Sequence, residues 1–152
     1  MESFVREALR LAIHTEKSSR DFYRYAAGKA ATGAVRKIFE QLAGEEAEHL
    51  AAFLDRYEGD DVHELQSPGG TPGRPDPRRY GELPGSLDGV FDEAQALRLA
   101  LGEEQACIDC YSALVETLRD AELRAIFEQA LDDTRRHHEL IRQQYRRLLE
   151  GS

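Results

Sequence analysis

Between Val35 and Tyr57 apolar side chains recur at intervals of three and four: Val35, Ile38 and Phe39, Leu42, then Phe53 and Tyr57. That period is one face of an amphipathic helix. In the middle of the same face stand Glu46 and His49. Residues i and i+3 share a helix face, so the pair projects from the stripe that a helix buries. A carboxylate left unpaired in an apolar bundle is costly. A bound cation would compensate it, and so would a buried His–carboxylate pair or a partly wet groove.

Three more stretches carry the same pattern. From about Ser3, a plausible N-cap, to the Gly28–Gly33 break, one face holds Val5, Leu9, Ala12, Glu16, Ser19, Tyr23 and Ala26. From about Phe91 to Leu118 it holds Leu97, Ala100 and Leu101, Glu104, Cys107 and Ile108, Tyr111 and Leu114. From about Glu122 to Leu149 it holds Leu123, Ile126 and Phe127, Ala130, Thr134, His137, Ile141 and Tyr145. The centre of each stripe is polar. The second helix is expected over about Ala34 to Tyr57, and the short turn before it makes the first two helices antiparallel.

All five prolines fall between Pro68 and Pro84, within a Gly-rich segment running from Gly59 to about Gly89. Such a segment reads as non-helical, and it is too long for a simple turn. A helix of about 25 residues is roughly 37 Å long, a distance that 25 to 30 extended residues can span. The segment is therefore expected to return the chain to the other end of a bundle between helices two and three. The whole of 1–152 fits a single all-α domain.

Charge and cysteine usage narrow the function classes. A net charge of −9 and a pI near 5.1 argue against nucleic acid or an anionic membrane as the main partner. The N-terminal residues are charged and helical in pattern, without the apolar core of a signal peptide or a membrane span, so a cytoplasmic location is expected. Cys107 and Cys110 provide no disulfide framework, which agrees with a reducing compartment.

An offset of 88 residues superimposes the two halves of the chain without a gap. It lays Ala8–Ala12 (ALRLA) on Ala96–Ala100 (ALRLA), and Ile38–Gln41 (IFEQ) on Ile126–Gln129 (IFEQ). It also pairs Glu16 with Glu104, Tyr23 with Tyr111 and His49 with His137. One helical hairpin is used twice, and a repeat kept for packing alone would not need the mid-stripe polar residues. Packed together, the two hairpins can bring Glu16, Glu46, His49, Glu104 and His137 to one place. That is the ligand pattern of a di-metal carboxylate bundle, with a Glu from each of two helices and Glu-x-x-His from the others.

In these motifs the sequence resembles the ferritin-like superfamily, and within it the rubrerythrin-type proteins, over all four helices. The resemblance implies a ferritin-like four-helix bundle with a di-iron site, with Mn or Zn as other possible occupants. It implies Glu16 and His49 as terminal ligands of one metal, Glu104 and His137 of the other, and Glu46 as the bridge. The symmetric bridging position is Thr134, a much poorer ligand than a carboxylate. Asp133, one turn from His137, could replace it, or the second metal position could be weak. Cys107 falls where such proteins often have a second Glu, so it is either a soft ligand or a small buried hydrophobe.

Tyr23 and Tyr111 follow the two glutamates by two turns, and can bond the carboxylates, donate electrons locally or serve as core. His14, His63 and His138 are expected to be solvated, and Arg135 and Arg136 to be ordinary surface. The function implied is reduction of hydrogen peroxide, or oxidation of Fe(II) by peroxide or O2. No rubredoxin-like domain follows the bundle, so an external electron donor is expected, and a homodimer is a family expectation. The alternative is a bundle that stores, buffers or senses iron or zinc without turnover.

Overall fold

The structure, a computed structural model, describes residues 1–66 and 91–151. The four expected stripes become four long helices: α1 (Ser3–Lys29), α2 (Gly33–Arg56), then, after a short α3 (Val62–Gln66), α4 (Glu93–Thr117) and α5 (Ala121–Glu150). Among the described residues there is no strand. The all-α expectation holds. None of these helices is long and apolar enough to cross a membrane.

Helix ends follow capping chemistry where a capping side chain is present. Asp92 accepts the Gln95 backbone N–H at 3.0 Å, and Asp120 accepts that of Leu123 at 3.0 Å, which fixes the starts of α4 and α5. Ser3 is a correction. It is the first helical residue and Glu2 precedes it as the cap, without a side-chain cap bond. The turn between α1 and α2 is held from outside by Glu93, whose Oε1 accepts the N–H groups of Ala31 and Thr32, both at 2.8 Å. Arg36 also donates to the Ala30 carbonyl at 2.9 Å.

The backbones lie close within each hairpin, α1 on α2 and α4 on α5, and approach less between hairpins. Two apolar clusters fill the bundle, one towards each end. The first gathers Leu9 and Ile13 of α1, Leu50 and Phe53 of α2, Tyr111 of α4, and Leu123 and Phe127 of α5. The second gathers Phe22, Tyr23 and Ala26 of α1, Val35, Phe39 and Leu42 of α2, Leu97 and Ala100 of α4, and Ile141 of α5. Ring contacts tie each together, Phe53 on Phe127 with centroids 4.8 Å apart in one and Phe22 edge-on to Tyr23 at 5.6 Å in the other. The polar residues of the stripes lie between the two.

The expectation that 59–89 contains no helix is corrected by α3. Its Leu65 is buried in the first cluster, and the buried Lys17 ammonium donates to the Leu65 carbonyl at 2.6 Å. Burial of one apolar side chain with a charge-assisted bond gives this short helix what its local sequence lacks. Phe91 packs against the second cluster. The two flanks of the expected crossover therefore lie at opposite ends of the bundle, while residues 67–90 are outside the described structure.

Candidate metal centre

Between the two clusters, each long helix contributes polar side chains to one belt. Glu16 comes from α1, Glu46 and His49 from α2, Glu104 from α4, and Thr134 and His137 from α5, and all six are buried. The helical period places them there, because each stands on the stripe that also carries the apolar core. Three carboxyl groups within an apolar interior demand compensation.

The belt resolves into two groups that share one residue. Glu16, Glu46 and His49 can each bring one ligand atom within 4.8 Å of the others, and so can Glu46, Glu104 and His137. His49 Nδ1 lies 3.5 Å from Glu16 Oε2 and 3.9 Å from Glu46 Oε2. His137 Nδ1 lies 3.2 Å from Glu46 Oε1 and 3.8 Å from Glu104 Oε2. The two imidazole rings face one another, with centroids 6.2 Å apart and planes 25° from parallel. Thus both histidines turn Nδ1 inward, and the two Glu46 oxygens face different histidines.

A cation fits these atoms on a specific observation. Glu16 Oε2, Glu104 Oε2 and His49 Nδ1 are fully buried without a hydrogen-bond partner, and all three point into the groups just described. Buried polar atoms are ordinarily satisfied, and three convergent exceptions call for a common partner. Oxygen and imidazole donors in this mixture suit iron, manganese or zinc. The remaining carboxylate oxygens are held by tyrosines from the opposite hairpin. Tyr111 donates to Glu16 Oε1 at 2.7 Å, and Tyr23 donates to Glu104 Oε1. Each tyrosine thus leaves one oxygen of its glutamate facing the centre.

The protonation states reflect this crowding. Burial pushes the Glu104 carboxyl well above the usual range, and the Glu46 charge adds to that. Burial also works against ionisation of Glu46, but the bond to His137 and the nearby His49 imidazole outweigh it and hold this carboxyl below its ordinary value. For His49, burial disfavours the imidazolium, yet Glu46 and Asp133 raise it to about 9.

Behind each histidine is a carboxylate of the other hairpin. Asp133 Oδ2 accepts from His49 Nε2 at 2.7 Å, while Glu45 Oε1 lies 3.4 Å from His137 Nε2. Arg136 joins the two, donating to Glu45 and, at 3.2 Å, to Asp133 Oδ1. Burial raises the Glu45 carboxyl, but the bonds from Arg136 and Gln41 prevail and hold it at about 2.

The sequence expectations fare unevenly here. Glu16, Glu46, His49, Glu104 and His137 come together as expected. Asp133 does not stand in for the missing bridge. The offset of 88 residues makes it the counterpart of Glu45, and it meets His49 on the nitrogen that points away from the centre. Thr134 turns its hydroxyl back along its own helix, donating to the Ala130 carbonyl at 2.7 Å. Cys107 is buried beside the belt but belongs to neither group. Arg136 is a correction, since it is bonded to both outer carboxylates rather than being ordinary surface. Of the remaining histidines, His14 and His63 are exposed and His138 is half-buried. Glu45 was not singled out by its spacing, although the repeat, which lays it on Asp133, carries the signal.

The model of the rubrerythrin family matches residues 7–145. The chain belongs to the rubrerythrin family. For this rubrerythrin-family chain, family and geometry together support a di-iron-type carboxylate and histidine site. A solved structure of a hypothetical protein from Pyrococcus furiosus is similar to it over 97% of this chain and 92% of that chain. The TM-score is 0.73 and the identity 24%, a likeness that speaks to the ferritin-like fold. Among curated proteins no match is found.

Proposed function

We propose that this rubrerythrin-family chain holds two iron ions, one on Glu16, Glu46 and His49 and one on Glu46, Glu104 and His137, and that it reduces hydrogen peroxide or oxidises Fe(II) with peroxide or O2. The observation that carries the reading is the pair of three-residue groups sharing Glu46, with buried polar atoms unsatisfied in their midst. Iron held there would supply the two electrons that reduction of a peroxide requires. The protein's part is to position and to shield. Glu46 sets the spacing, Tyr23 and Tyr111 fix the outer glutamates, and the apolar clusters on either side exclude bulk water. An external electron donor returns the electrons consumed.

A second reading is storage, buffering or sensing of iron or zinc without turnover. It is favoured by Thr134, whose hydroxyl is committed to Ala130 where a second bridging carboxylate would complete a symmetric site.

Elemental analysis of protein loaded anaerobically with Fe(II) tests the metal assignment, alongside Glu46→Ala. Two ions per chain in the wild type and loss of both in the variant are expected, since both groups share Glu46. Unchanged iron content in the variant would remove the assignment. Peroxide-dependent oxidation of the loaded protein, followed optically, separates the two functions. Turnover supports the enzyme, and binding without turnover supports the store or sensor.

A further inference from the structure

The two metal positions are related by the repeat, but what stands behind their histidines is not equal. Asp133 divides its oxygens cleanly. Oδ1 takes Arg136 and, at 3.2 Å, Gln129, which leaves Oδ2 to accept from His49 Nε2 at 2.7 Å. Glu45 has no such division. Its Oε2 accepts from Gln41 at 3.0 Å, and its Oε1, the oxygen nearest His137, is the one Arg136 binds most closely. His137 Nε2 is left fully buried with no hydrogen-bond partner, 3.4 Å from an oxygen already engaged. The offset of 88 residues pairs Arg136 with Glu48, an exposed acid, so nothing on the first hairpin draws Asp133 away from His49 in the same manner.

A carboxylate behind a metal-binding histidine fixes its tautomer and strengthens it as a donor, and losing such a partner costs 10–100-fold in affinity. His49 has that support, with Nε2 bonded to Asp133 and Nδ1 facing inward. His137 lacks it. Resting on the di-metal reading above, we propose that Arg136 is a positioning residue that sets the two metal positions apart. By taking Glu45 from His137 it weakens the Glu46, Glu104 and His137 position, so that the Glu16, Glu46 and His49 position fills first.

Co(II) is a suitable probe, because it is stable in air and its visible bands report each coordination step. Wild-type protein titrated with Co(II) should bind in two steps, the weaker one abolished by Glu104→Ala. Arg136 lies on the surface, so Arg136→Met removes its bonds without opening the core. That variant should tighten the weaker step about tenfold and leave the stronger step within about twofold, since Glu45 is then free to accept from His137. Asp133→Asn should weaken the stronger step by about 10–100-fold. Two steps in both wild type and Arg136→Met with the same separation would overturn the proposal and leave the di-metal reading standing. A single step in both would overturn it too, and no binding in either would overturn the di-metal reading with it. One step in the wild type and two in Arg136→Met would support it in its strongest form.

Discussion

At the scale of single residues, burial and pairing decide the chemistry more than residue type does. His49 is the clearest case. In chelator-treated protein its imidazole, raised to about 9, holds a proton that the unfolded chain gives up near 6.5. The folded state therefore gains stability from it at pH values below 6.5, and loses that gain as pH rises through 9. Glu104, pushed up by burial, acts in the same sense. We expect the midpoint of urea unfolding of the metal-free protein to fall as pH rises from 6.5 to about 9, with a contribution from His49 of at most about 3 kcal/mol. His49→Gln should flatten much of that slope, and an equally steep slope in the variant would refute the assignment. The inward-facing residues were legible in the sequence because each interrupts an apolar period. Their tyrosine partners were legible as candidates, but not which tyrosine serves which glutamate. That Tyr111 serves Glu16 and Tyr23 serves Glu104, across the hairpins, depends on how the helices are laid together, which no periodicity along one helix encodes.

At the scale of elements, the helices were read correctly to within a few residues, because three- and four-residue spacing survives over many turns. Their ends were less legible. Ser3 has a capping side chain but makes no cap bond, whereas Asp92 and Asp120 do. The short α3 escaped notice because its stabilisation is tertiary, through Leu65 and Lys17. Two helical positions remain suboptimal. Gly44 in α2 and Gly102 in α4 are exposed, and a methyl group added at either meets nothing within 4 Å. Gly44→Ala and Gly102→Ala should each stabilise the protein by about 0.5–1 kcal/mol in thermal or urea unfolding, without changing metal content. A loss of stability at either would mean that its glycine serves the site.

At the scale of the molecule, the repeat was the most informative feature of the sequence. It implied two equivalent hairpins and a centre between them, and it contained, in the alignment of Glu45 with Asp133, the outer carboxylates as well. What it could not convey is how Arg136 breaks the symmetry, since that rests on which oxygen a guanidinium chooses. The polar belt also means that the bundle has two hydrophobic cores rather than one. Each end can then open while the other stays closed, so amide exchange should sort into two sets, residues such as Phe53 and Phe127 in one and Phe39 and Leu97 in the other. Metal should slow both sets together, because a pair of ions sharing Glu46 and drawing together on all four long helices would fasten the ends to each other. Equal slowing of only one set would show that the ends are not joined through the belt. On this view the bound ion is a rivet as well as a reagent, and a cell starved of metal would hold this protein in a form that breathes at either end.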